Sequence, residues 1–169
     1  MLYRVDCMAI HLRKRHRLRR KEIKAISESF NSILSEPCFS TEDTIDKAEL
    51  EKFHVLLVDG EILGMIIDDV PFLTVKGLLK FRPSKRYVTI DMGAVQFIYN
   101  GADVMAPGIV DADPEISSGD VVWVRDERNK QPLAVGKALM SGTEMKEAQS
   151  GKAVKALHHV GDDIWNYEP

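Results

Sequence analysis

Apolar and polar positions follow two rhythms along this chain, and the change of rhythm marks its elements. Ile23, Ile26, Phe30, Ile33 and Leu34 recur at helical spacing, the stripe of one buried helix face. Glu36-Pro37 ends the stripe, because the residue before proline is steered away from helical backbone. The spacing predicts a helix at about 19–35, whose start lacks Ser, Thr, Asp or Asn as a cap. Pro37 to Asp46 is polar and reads as a loop. Two apolar, β-branched runs follow at about 51–58 and 61–68, split by Asp59-Gly60. Asp-Gly favours the left-handed turn of a tight hairpin, so both runs are predicted strands. Thr74 is placed to cap a short helix carrying Val75, Leu78 and Leu79.

Arg82-Pro83-Ser84-Lys85-Arg86 has no apolar period and contains proline, so the domain boundary is predicted there, giving units 1–85 and 86–169. The first is expected to be α+β. The second is richer in strands and glycine turns. Tyr87–Ile90, Val121–Val124, Pro132–Met140, Ala153–His159 and Ile164–Tyr167 read as strands, with Gly136 marking a bulge. Ala94–Tyr99 reads as a short helix and Thr143–Gln149 as a helical turn. Gly101 to Gly108 is a glycine-bounded loop or irregular strand. Many short strands with regular turns predict a small β-barrel or sandwich.

Charge changes this picture at one end. The formal net charge is -3, but residues 1–24 carry +7, residues 25–86 carry -4 and residues 87–169 carry -6. The positive end is concentrated in Arg13, Lys14, Arg15, Arg17, Arg19, Arg20 and Lys21. If that stretch is extended, Arg13, Arg15, Arg17 and Arg19 project to one face. Such density points to a polyanion or an acidic partner, against the plainer reading that Glu42, Asp43 and Glu49 of the same chain neutralise it. Lys80, Arg82, Lys85 and Arg86 form a second basic cluster at the boundary.

Composition removes several classes. At 44% hydrophobic and 29% charged residues the 169-residue chain is globular rather than disordered. No apolar run approaches the ~20 residues of a membrane-crossing helix, and no secretory leader is expected. Cys7 and Cys38 are too few for a disulfide framework, so a reduced, cytoplasmic, soluble protein with free or buried thiols is expected. Phosphate-binding, dinucleotide-binding and nucleophile-elbow motifs are absent, and no catalytic residue or cofactor is expected. His158-His159 near Asp162-Asp163 is a poor metal set, because adjacent strand histidines point to opposite faces; no metal is expected. Trp123 and Trp165 are expected to pack the barrel.

The order of residues in the second half carries a resemblance. Gly93-Ala94, Gly101-Ala102, Pro107-Gly108-Ile109, Gly119-Asp120 before Val121-Val122-Trp123-Val124, Gly136, Gly151 and Asp163-Ile164-Trp165 resemble a PUA domain. A basic stretch leading into a helix, then the hairpin at Asp59-Gly60 and Pro71-Phe72, resembles the pre-PUA domain of the malignant T-cell-amplified sequence and ligatin family. Asp91 to Ile98 and Asn100 to Ile109 are especially similar to it, and the plan is that of stand-alone archaeal members. The resemblance implies a mostly β PUA pseudobarrel of about six strands with a helix beside it. It implies a non-enzymatic RNA-binding role in translation, in initiation, reinitiation or recycling, with tRNA or rRNA as partner and small ribosomal subunit contact. The alternative is an accessory subunit for RNA modification or ribosome assembly.

In that family RNA rests against the helix, the following glycine loop and a late strand. This nominates Gly101, Ala102, Asp103, Val104, Met105, Ala106, Pro107 and Gly108. Glycines admit a close sugar-phosphate backbone, and Val104, Met105 and Ala106 are expected to offer an apolar surface to a terminal base. Arg13 to Lys21 would supply the phosphate contacts.

Overall fold

A computed structural model describes residues 10–169. Cys7 lies outside the described residues. Strands β1 (Arg13–Arg17), β2 (Ile45–Leu50), β3 (Phe53–Val58), β4 (Glu61–Ile67) and β5 (Val70–Leu73) pair antiparallel in chain order. The first half is therefore mostly sheet, with two helices rather than an even mixture. Asp59 and Gly60 both take positive φ, 51° and 88°, as the β3–β4 hairpin requires. Helix α1 (Arg20–Leu34) starts without a short polar cap because the Glu22 carboxylate accepts the Arg19 backbone N–H at 2.8 Å. It packs Phe30 and Leu34 against the sheet, with Phe30 edge-on to Phe39 at 5.0 Å between ring centres. Helix α2 (Val75–Phe81) is capped by Thr74, whose hydroxyl accepts the Gly77 N–H.

Two strands of this half escape the sequence pattern. The expected loop to Asp46 contains the start of β2. There Asp46, Ala48 and Leu50 alternate as buried positions, and a carboxylate among them breaks the apolar signal. Strand β5 holds Pro71, which the outermost place in the sheet tolerates, since proline gives up a ladder donor.

The second half runs β6 (Tyr87–Ile90), α3 (Met92–Tyr99), β7 (Val104–Met105), a 3-10 turn over Ala106–Gly108, β8 (Ile109–Ala112), β9 (Val121–Asp126), β10 (Pro132–Ala138), α4 (Gly142–Glu147), β11 (Lys152–His159) and α5 (Asp163–Asn166). Its six strands are ordered β7-β11-β10-β9-β6-β8. The outer strands β7 and β8 are joined by the 3-10 turn, so the sheet curls into a nearly closed pseudobarrel. The predicted strand at Ile164–Tyr167 is instead helix α5. Gly161 turns the chain at φ +95°, and the Asp162 carboxylate then accepts the Trp165 N–H at 3.0 Å, a helix start.

The β9 strand shows how the halves meet. Val122 and Val124 point into the barrel core with Ile90, Ile98 and Val154. Val121 and Trp123 point the other way and join Val135 and Ile164 in the core of the first sheet. Trp123 thus packs outside the barrel, where its indole N–H donates to the Lys85 carbonyl at 2.7 Å. Trp165 is half-buried on α5, with Lys76 5.5 Å from its ring centre. No helix among the described residues is long and apolar enough to cross a membrane.

Candidate nucleic-acid interface

One groove is built by α3 and the chain that follows it. Asp91 caps α3 by accepting the Ala94 N–H at 2.9 Å. The helix ends where Gly101, at φ +84°, reverses the chain; its N–H reaches the Ile98 carbonyl at 3.0 Å. Asp103 is then held by the Ala156 N–H at 2.9 Å and by Lys152 at 3.3 Å. Burial pushes the Asp103 carboxyl up, but these two partners outweigh it and hold the group below the usual carboxylate range. The return leg is pinned to the helix start: the Asp91 N–H donates to the Gly108 carbonyl at 2.9 Å. A methyl group on Gly108 would lie 3.2 Å from the Ala94 methyl, so glycine lets the two walls approach.

The space between these walls is about 630 Å³ and opens to solvent. Phe97 and Met105 line it with 64% and 47% of their surfaces exposed. Ala94 and Pro107 extend the apolar wall, and Lys152 is its cation. Ala106 does not contribute the expected surface, because it is buried in the barrel, and Val104 borders the groove with only 2% of its surface exposed. Such a slot suits a flat, apolar face with an anionic group at its edge.

Phe97, Asp91 and Lys152 were not among the nominated residues. Phe97 had a signal. Met92, Val95, Phe97, Ile98 and Tyr99 surround a helix of eight residues, too many apolar chains for one buried face, and only Ile98 is buried. Lys152 had none, since it reaches the groove through the β7–β11 pairing.

The basic stretch has a different character. It is extended only from Arg13 to Arg17, and its register slips between Arg13 and His16, with Lys14 at φ 52°. The expected single face is therefore broken. Arg15 and Arg17 both reach Asp46, at 2.8 and 2.5 Å. Arg13 and Lys14 lie 3.6 and 3.5 Å from Glu49, and Arg20 pairs with Glu42 at 2.7 Å. The Arg17 bond, opposed by burial and aided by Arg15, holds the Asp46 carboxyl below its usual range. Arg19 precedes α1, and neither it nor Lys21 makes an ion pair with the described residues. At the boundary Lys85 and Arg86 pair with Glu115 and Asp120.

Other nominated chemistry is accounted for structurally. Among the described residues no three metal-binding side chains gather. Burial, with Glu36 beside it, pushes the Cys38 thiol up to about 12, which leaves it a poor nucleophile.

Residues 86–160 match the PUA domain family. An uncharacterized protein of Methanocaldococcus jannaschii is 45% identical over 94% of this chain and 99% of its own length. The crystal structure of a hypothetical protein from Pyrococcus horikoshii superposes with a TM-score of 0.83 at 41% identity, covering 89% of this chain and 97% of that one. Translation machinery-associated protein 20 of Saccharomyces cerevisiae is 31% identical over 75% of this chain and 79% of its own length. The chain belongs to the family of translation machinery-associated protein 20 and the malignant T-cell-amplified sequence proteins. In this family member the groove lies wholly inside the PUA match, and the basic strand lies before it.

Proposed function

We propose that this chain is a non-enzymatic RNA-binding protein of the translation apparatus, acting in initiation, reinitiation or recycling, and that its groove receives the unstacked base of a single-stranded tRNA or rRNA end. The observation that carries this reading is the open apolar groove, with Phe97 and Met105 exposed, within the PUA match. An exposed aromatic ring is unfavourable in water unless something covers it, and bases stack on such rings regardless of sequence. The second half is acidic, so phosphate attraction must come from elsewhere. Arg19 and Lys21 beside β1 are the cations placed for it, while Lys152 at the groove is held by Asp103. The name translation machinery-associated protein 20, carried by a relative, supports a role in translation.

Fluorescence anisotropy with a short single-stranded RNA and a blunt duplex of equal length tests the reading. Binding that favours the single strand, with the RNA mass unchanged after incubation, supports it. Equal affinity for both removes the groove as an end-binding site. Co-sedimentation with small ribosomal subunits tests the translation role separately.

A further inference from the structure

Where the halves meet, most contacts are apolar. Tyr87, Trp123, Val135 and His158 stand side by side across β6, β9, β10 and β11, by strand register. The first three pack against the core of the first sheet. His158 is fully buried at the end of this row. It gets there through a bulge: Val135 pairs with His158 but Gly136 pairs with Ala156, leaving Leu157 as the extra residue. Gly136 allows it, since a methyl group there would lie 2.3 Å from the Lys155 carbonyl oxygen.

Both ring nitrogens of His158 are engaged. Nε2 lies 3.1 Å from the backbone nitrogen of Val75, the first residue of α2. Nδ1 lies 2.8 Å from an Asp162 oxygen. A backbone N–H can only donate, so Nε2 must carry the lone pair. Nδ1 then carries the proton and donates it to Asp162. Asp162 has no freedom of its own, since it also accepts the backbone N–H groups of His159 and Trp165 at 2.9 and 3.0 Å. On the other side α2 is pressed to the sheet at Gly77, where a methyl group would lie 2.1 Å from the Leu63 carbonyl oxygen.

We propose that His158 is a positioning residue that sets the angle between the first sheet and the barrel, and that it does so as the neutral ring with its proton on Nδ1. Apolar contacts hold the halves together without direction, and the polar ties Lys137–Asp68 and Lys76–Tyr167 across them are made by flexible lysines, whereas a buried ring hydrogen-bonded at both ends has one satisfied orientation. The chain α5–Asp162–His158–Val75–α2 links an element of one half to an element of the other. Its consequence for RNA rests on the reading above: the angle fixes the distance from the groove to Arg19 and Lys21.

Residual dipolar couplings on the full chain test this without RNA. In the unaltered protein one alignment tensor should fit both halves. His158→Phe should leave each half folded but require two tensors. His158→Gln, whose amide oxygen can still accept the Val75 N–H, should restore a single tensor. A single tensor for the Phe variant, or two for the unaltered protein, overturns the proposal, as does a Gln variant as disordered between halves as the Phe variant. Should the Phe variant not fold, the unaltered protein still decides. A scalar coupling between the Val75 amide and His158 Nε2 supports the proposal, and a proton on Nε2 defeats it. RNA binding is a separate arm: a flatter salt dependence in the Phe variant, with the orientation result as above, supports both readings. An unchanged salt dependence beside a lost orientation overturns only the RNA consequence.

Discussion

The basic strand and the groove are both open to solvent, but the strand's charge has been met from within the chain and the groove's aromatic ring has not. Five of the seven cations nominated from Arg13 to Lys21 face Asp46, Glu49 or Glu42. Phe97 keeps 64% of its surface exposed among the described residues. Charge density along a sequence is thus a poor measure of the potential a surface presents, because the compensating carboxylates arrive from another strand. An apolar excess on a short helix is a better guide, because burial capacity is limited by geometry.

The contrast is broken most directly at the ring. Phe97→Ala should weaken single-stranded RNA binding by about 5- to 150-fold, the loss of one stacked base at ~1–3 kcal/mol. Stability should change by less than about 0.5 kcal/mol, because the ring is exposed. Anisotropy and thermal melting together check it; unchanged affinity would remove the groove from the site.

The cations come next. Replacing Arg19 and Lys21 with Gln should flatten the slope of log K against log salt by about 1.4, roughly 0.7 for each phosphate contact to a single strand. Replacing Arg15 and Arg17 should flatten it less, since Asp46 already neutralises them. Equal flattening by the two pairs would erase the distinction between answered and unanswered charge.

A smaller change should sharpen the groove. Asp103→Asn keeps an acceptor for the Ala156 N–H but releases Lys152 from its ion pair. RNA binding should tighten and the salt slope should steepen by about 0.7. A slope that stays put would mean Lys152 does not reach phosphate.

The smallest effect is on acid stability. Asp46 at the strand and Asp103 at the groove both have folded-state values below the unfolded one. Their stabilisation is therefore fully present above about pH 4, near the unfolded Asp value, and is lost as pH falls through the lower folded values. Asp46→Asn should remove part of this acid-side loss. The cost at neutral pH should be about 1 kcal/mol or less, because the arginine partners are well exposed. Urea titrations at neutral pH and at about pH 3 compare the two; a variant whose acid-side loss equals that of the unaltered protein would mean Asp46 contributes none of it.

Much of the architecture was legible where local chemistry acts alone. Helix α1 came from its apolar period, the β3–β4 hairpin from Asp59-Gly60, and α2 from Thr74. The bulge at β10–β11 was readable from Gly136. Strand β2 was hidden because its buried Asp46 makes sense only once Arg15 and Arg17 cross from β1. Helix α5 was hidden because Ile164 and Tyr167 imitate a strand, while its cause is the Asp162 cap and the turn at Gly161. Half of the groove was legible through its glycines and Met105. The helix wall was legible only as an apolar excess on α3, which does not say which side chain stays outside, and Val104 and Ala106 looked like surface until the barrel closed over them.

Among the described residues strand β1 is also the margin of its sheet. A margin strand exposes backbone N–H and C=O groups that invite pairing with another molecule. Here that invitation is withdrawn by charged side chains on a short strand and by the irregularity at Lys14, which spoils a straight ladder. The run from Arg13 to Arg17 therefore guards against self-association whatever its part in RNA contact. Exchanging it for threonines and valines would threaten solubility before it touched the fold.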